Sequence, residues 1–164
     1  MARRTLAVVT TTLLMILFAG GTVLVPWLES RGEASSSIVR LMYAPVCHQK
    51  AERSLEIFGH RQAVCSRCSG LYAGAIIGML LAWAFLVRDR DPRPIWFAIG
   101  VLPTFIDAIL PWVGLPQLSE VPRWFLALPA GAVAGLFLNL GAAELFPERV
   151  TKSMSQFVME NGNG

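Results

Sequence analysis

All three cysteines and both histidines of this 164-residue chain fall between positions 47 and 68. Cys47 and His48 are adjacent, Cys65 and Cys68 form a Cys-x-x-Cys pair, and His60 lies between. Thiolates and imidazoles suit a borderline-soft ion such as Zn²⁺, and a Cys-x-x-Cys turn can put two sulfurs on one ion. Cys47, Cys65 and Cys68 are common to any metal site here, and the fourth ligand is His48 or His60. Were residues 47–56 helical, His48 and Glu52 would share a face at i and i+4. Glu52 would then ligate or orient the imidazole, and a catalytic zinc would activate a water near both. A closed Cys₃His shell would make the ion structural instead.

The same residues allow thiol–disulfide chemistry. Cys65 and Cys68 sit where an apolar helix begins, and a helix N-terminus with Arg67 beside it favours the thiolate. Cys47 would be the partner thiol of a membrane oxidoreductase. A plain structural disulfide outside the cytoplasm is the third reading. Metal content separates them, because a zinc site binds metal and shields its thiols. A second candidate site is Asp107, inside an apolar run where an ionised carboxylate is costly. It pairs with Arg123 to tie two helices together, or the two line a polar cavity in which the Arg takes a lipid or other anionic headgroup. A small transporter or channel with Asp107 in its pathway is a further alternative. The sequence does not decide whether the chain is an enzyme.

The elements that position these residues are membrane helices. Apolar residues make up 54% of the chain and charged ones 15%, against roughly a quarter charged in soluble domains. Four apolar runs, 6–28, 69–87, 95–113 and 124–146, are each about 19 residues or longer, and a spanning helix needs about 20. Trp27, Trp96, Trp112 and Trp124 lie near their ends, as indoles do at headgroup level. The first run is too long for a secretory signal core and no small-x-small site follows it, so it reads as a retained helix. The expected architecture is a single all-α integral membrane domain over 1–164. It is a four-transmembrane-helix bundle with a membrane-surface helix between helices 1 and 2, in the Cys/His segment 38–68. The apolar–charged pattern of 38–58 suggests that surface helix, and the tail 152–164 reads as flexible.

Gly70, Gly74 and Gly78 repeat at four-residue spacing in the second run, and Gly131 and Gly135 in the fourth, with Ala127 and Asn139 extending the row. Such rows let helix backbones approach closely, within one bundle or across a homodimer. Pro103, Pro111 and Pro129 free carbonyls that need partners inside the bundle. Seven positive charges fall on each side, but short loops give three against one, which puts the termini in the cytoplasm and the cysteines outside it. The net charge of +3 lies between apolar runs, which suits a lipid bilayer and excludes nucleic acid as a partner. No phosphate loop, nucleophile elbow, His-Glu-x-x-His helix, haem-attachment motif or internal repeat is present.

Cys47-His48-Gln49, Arg53-Ser54, and Cys65-Ser66-Arg67-Cys68-Ser69-Gly70-Leu71-Tyr72-Ala73-Gly74, followed by Pro103, Asp107 and Arg123, resemble the motifs of the predicted membrane proteins called domain of unknown function 2085. The resemblance covers about residues 38–140. It implies that Cys47, His48, Cys65, Cys68, Asp107 and Arg123 form one site, in the membrane of a prokaryotic cell, and it implies no reaction. Ala51 stands where the family tends to have Pro. Pro111 stands where it tends to have Gln, which weakens any hydrogen-bonding role there.

Overall fold

A computed structural model describes residues 2–88, 92–114, 116 and 118–145. The chain forms α1 (Ala2–Ser30), α2 (Ser35–Met42), a two-stranded hairpin of β1 (Glu56–Ile57) and β2 (His60–Arg61), α3 (Ser66–Arg88), α4 (Ile95–Ile109) and α5 (Glu120–Glu144). A single turn of 3-10 helix, Leu110–Val113, extends α4. Four of these helices are long and apolar enough to cross a membrane: Arg4–Ser30, Ser66–Leu86, Ile95–Val113 and Glu120–Glu144. Their large side chains face outward, with Leu17, Leu80, Leu102, Phe105 and Phe125 all exposed. Lipid solvates such faces where water would not. The expected fold class therefore holds. The second and fourth spans start earlier than the apolar runs suggested, because each helix begins with a polar turn, Ser66-Arg67-Cys68 and Glu120 to Arg123. The tail 152–164 lies outside the described residues.

The centre of the bundle is the contact between α3 and α5. Gly70, Gly74 and Gly78 lie against the carbonyls of Trp124, Leu128 and Ala132, and Gly131 and Gly135 against those of Leu71 and Ala75. A Cβ at any of the five would overlap backbone, so glycine is what lets the helices meet. The two rows thus pack against each other within one chain, the first of the two arrangements that the spacing allows. α4 rests mainly on α5, and Gly100 brings it close, since a Cβ there would lie 3.0 Å from the Pro129 carbonyl oxygen. Asn139 is a network centre rather than a spacer. Its amide donates to the Met79 carbonyl at 3.1 Å and to Thr12 Oγ1 at 2.9 Å, while the Thr11 hydroxyl donates to its carbonyl oxygen. These bonds link α1, α3 and α5.

The segment before α3 departs from expectation. The surface helix covers only Ser35–Met42, not 38–58. Pro45 has no N–H to continue the helix, and Gln49 sits at φ 50. The apolar–charged alternation further on belongs to the hairpin, where Ile57 pairs with His60 across Phe58 and Gly59, both at positive φ. Two left-handed residues in a two-residue loop match the right-handed twist of the strands. Ile38, Leu41 and Met42 point away from the protein, 69–72% exposed, so α2 offers an apolar stripe to the membrane surface. Arg40 locks the segment together. Its guanidinium donates to Glu29 Oε1 at 2.7 Å, to the Arg61 carbonyl at 3.0 Å and to the Gln62 carbonyl at 3.3 Å.

Candidate metal centre and its ion cluster

Cys47 ends the turn that follows α2, with its N–H on the Tyr43 carbonyl at 3.0 Å. It is buried in a small core with Val25, Tyr43, Ala63 and Val64. Cys65 immediately precedes α3 and Cys68 lies in its first turn. Ser66, fully buried, donates from Oγ to the Arg53 carbonyl at 2.8 Å and so pins the helix start to the preceding loop. The result is that three sulfurs from two separate stretches lie within 4.8 Å of one another, and all three thiols are free. Zn–S bonds of about 2.3 Å in a tetrahedron hold sulfurs about 3.8 Å apart, so small rotations of the side chains suffice to close on one ion.

Two backbone donors converge on one of the sulfurs. The Cys65 N–H donates to Cys47 Sγ at 3.2 Å and the Gln49 N–H at 3.5 Å. The left-handed Gln49 is what turns its N–H back toward Cys47. The Cys65 thiol is pushed down to about 5, chiefly by the Cys68 side chain hydrogen-bonded to it and against the effect of burial.

Neither histidine joins the sulfurs among the described residues. His48 is exposed beside Cys47. His60 faces Glu29 instead, with Nδ1 3.7 Å from Oε2. The proposed i, i+4 pairing of His48 with Glu52 does not form, because residues 47–50 are irregular and Glu52 lies in a 3-10 turn, Ala51–Arg53.

Asp107 and Arg123 do come together. Asp107 sits in the last turns of α4 and Arg123 in the first turn of α5, with Arg123 Nε 3.4 Å from Asp107 Oδ2. The stronger partner is one the sequence reading assigned to another role. Arg67 donates from Nε to the same oxygen at 2.9 Å, and its Nη2 makes a second bond there. Arg67 stands between Cys65 and Cys68, so a single residue joins the sulfur cluster to the ion cluster. An arginine in the first turn of a membrane helix needs a counter-charge, but the sequence does not say which carboxylate supplies it. The Asp107 Oδ1 and the Arg123 Nε are buried without a hydrogen-bond partner. The contact between Arg123 and Asp107 is therefore attraction of charges, not an aligned hydrogen bond. A cavity of about 490 Å³ opens beside Arg123, lined also by Glu52, Arg53, Ser119 and Glu120.

The family described as "Predicted membrane protein (DUF2085)" matches residues 47–137. The chain belongs to this family. The DUF2085 match begins at Cys47 and takes in every cysteine, Arg67, Asp107 and Arg123, while α1 and α2 lie before it. The chain is similar to an uncharacterised protein of Methanocaldococcus jannaschii, 30% identical over 138 residues, which cover 79% of this chain and 85% of that protein. It is also similar to an uncharacterised protein of Methanothermobacter thermautotrophicus, 35% identical over 94 residues, or 57% and 85% of the two chains. No solved structure matches it. The chain is an integral membrane protein with a three-cysteine cluster.

Proposed function

We propose that this DUF2085 protein holds a zinc ion on Cys47, Cys65 and Cys68 at one face of the bilayer and acts there on a membrane-associated substrate. The observation that carries the reading is the approach of three free sulfurs to within 4.8 Å of one another. The two backbone N–H groups aimed at Cys47 Sγ support it. Three protein ligands are the number found in catalytic zinc sites, which keep one position for water or substrate. When bound there, zinc would supply Lewis acidity. The chain's own contribution is to fix the sulfurs through Ser66 and Gln49. Arg67, between Cys65 and Cys68, adds positive charge there for an anionic group, and Arg123 shares its counter-ion Asp107. Asp107 is engaged by two guanidiniums, which favours a positioning role over a place in a transport path. With the termini in the cytoplasm, the centre faces the outside of the cell membrane.

A second reading has Cys65 and Cys68 as a thiol–disulfide pair, and the lowered Cys65 thiol beside Cys68 favours it. Elemental analysis with thiol titration decides between the two. One equivalent of zinc per chain, lost in a Cys65→Ser/Cys68→Ser variant, supports the metal site. Metal-free protein with a reducible Cys65–Cys68 bond overturns it.

A further inference from the structure

We propose that the cavity between the Glu52–Arg53 turn and the start of α5 binds a phosphate group carrying an amine. This is the chemistry of a zwitterionic phospholipid headgroup and of the free aminoalkyl phosphate. The proposal rests on the chain working at a membrane surface, and it does not rest on the metal.

The first observation is an under-used arginine. Arg123 is 4% exposed, yet its Nε has no hydrogen-bond partner and its side chain lines the cavity. Asp107 is committed to Arg67, whose Nε is closer at 2.9 Å than that of Arg123 at 3.4 Å. Two guanidiniums share the one carboxylate of Asp107, so Arg123 keeps donor capacity for a further anion. Guanidinium is the group best matched to phosphate oxygens, with paired donors in one plane.

The second observation is the end of α5. Ser119 takes the extended N-cap conformation, φ −62 and ψ 170, but makes no side-chain cap hydrogen bond. The first-turn N–H groups therefore lack the usual hydroxyl acceptor, and Ser119, Glu120 and Val121 all line the cavity. An uncapped helix start beside a buried arginine is suited to an anion.

The third observation sets the ligand's other half. Glu52 and Glu120 line the same cavity as Arg53 and Arg123. A bare anion meets both carboxylates unfavourably. A phosphate that also carries an ammonium satisfies the arginines and the carboxylates together. The volume of about 490 Å³ admits a headgroup of that size, and the cavity lies at the start of the α5 span.

The test is native mass spectrometry of the full chain in detergent, titrated with phosphatidylethanolamine and phosphatidylglycerol. O-phosphoethanolamine serves as a soluble competitor. Phosphatidylethanolamine is expected to be retained in preference to phosphatidylglycerol, and Arg123→Gln to weaken it by about tenfold or more, the scale of a lost charge-assisted hydrogen bond. Glu120→Gln should erase the preference between the two lipids. The Cys65→Ser/Cys68→Ser variant should bind as the unaltered chain does, so a failed metal site leaves this result standing. Displacement by O-phosphoethanolamine at matching concentration assigns the site to the free phosphate, and resistance to it assigns the site to the lipid; both support the shared chemistry. Equal binding of the two lipids by the unaltered chain, or full binding by Arg123→Gln, overturns it. Should Arg123→Gln not fold, Ser119→Asp places a carboxylate at an exposed position on the cavity wall. Unchanged binding by that variant overturns the proposal equally.

Discussion

Replacing Asp107 by Asn removes the carboxylate that two guanidiniums share without changing the side chain's size. The Asp107 side chain is 1% exposed, and its Oδ2 meets Arg67 Nε at 2.9 Å and Arg123 Nε at 3.4 Å. At 3.4 Å, with an effective dielectric constant of about 20, one such pair is worth about 5 kcal/mol of gross attraction. Desolvation offsets much of that while both partners are present. Removing one partner exposes the full penalty, typically about 3–5 kcal/mol. The Arg67 side chain is 30% exposed and can turn toward headgroup water, so the loss should fall near the lower end of that range. The assay is equilibrium unfolding of purified protein in mixed micelles with increasing SDS, followed by tryptophan fluorescence. Glu144→Gln, at an exposed position in the last turn of α5, is the control and should change stability by less than about 0.5 kcal/mol. A second variant sharpens the argument. Asp107→Asn combined with Arg67→Gln should be less unstable than the sum of the two single changes, because the double change leaves fewer unpaired charges. If Asp107→Asn costs no more than Glu144→Gln, the ion cluster does not hold α4 to its neighbours and the reasoning fails.

Three other outcomes follow from the same geometry. Gly78→Ala places a methyl group against the Ala132 carbonyl, so α3 and α5 must separate, and the same unfolding assay should register a loss of about 1–3 kcal/mol; Gly20→Ala, which meets nothing within 4 Å, should not. His48→Ala should keep its full zinc content by elemental analysis, since the imidazole is exposed and outside the sulfur group, whereas Cys47→Ser should lose it. The proposed orientation, with the cysteines outside the cytoplasm, predicts that a membrane-impermeant maleimide added to intact cells after chelation labels them; labelling only after cell lysis would reverse that orientation.

Much of this arrangement was legible in the residues. The four spans follow from run length, since a continuous apolar run of about 20 residues satisfies its own backbone in lipid as a helix. The close contact of α3 with α5 follows from glycines four residues apart, and the sulfur cluster from a Cys-x-x-Cys pair at a helix start with one further cysteine nearby. The pairing of Arg67 with Asp107 was not legible, because the two are 40 residues apart and nothing in either helix marks which face meets the other. Nor was the network of Asn139 with Thr11 and Thr12, where donors and acceptors from three helices converge. In the segment before α3 the error was one of period. A short stretch of mixed apolar and charged residues fits a helix or a hairpin, and Pro45 and Gly59 decide it locally.

X-ray absorption at the zinc edge, on the purified full chain, tests the metal centre most directly. Three sulfur neighbours at about 2.3 Å with one lighter oxygen or nitrogen neighbour is the result that three converging cysteines predict. Zinc without a sulfur shell, or a chain purified intact with no zinc and a Cys65–Cys68 disulfide, would contradict it.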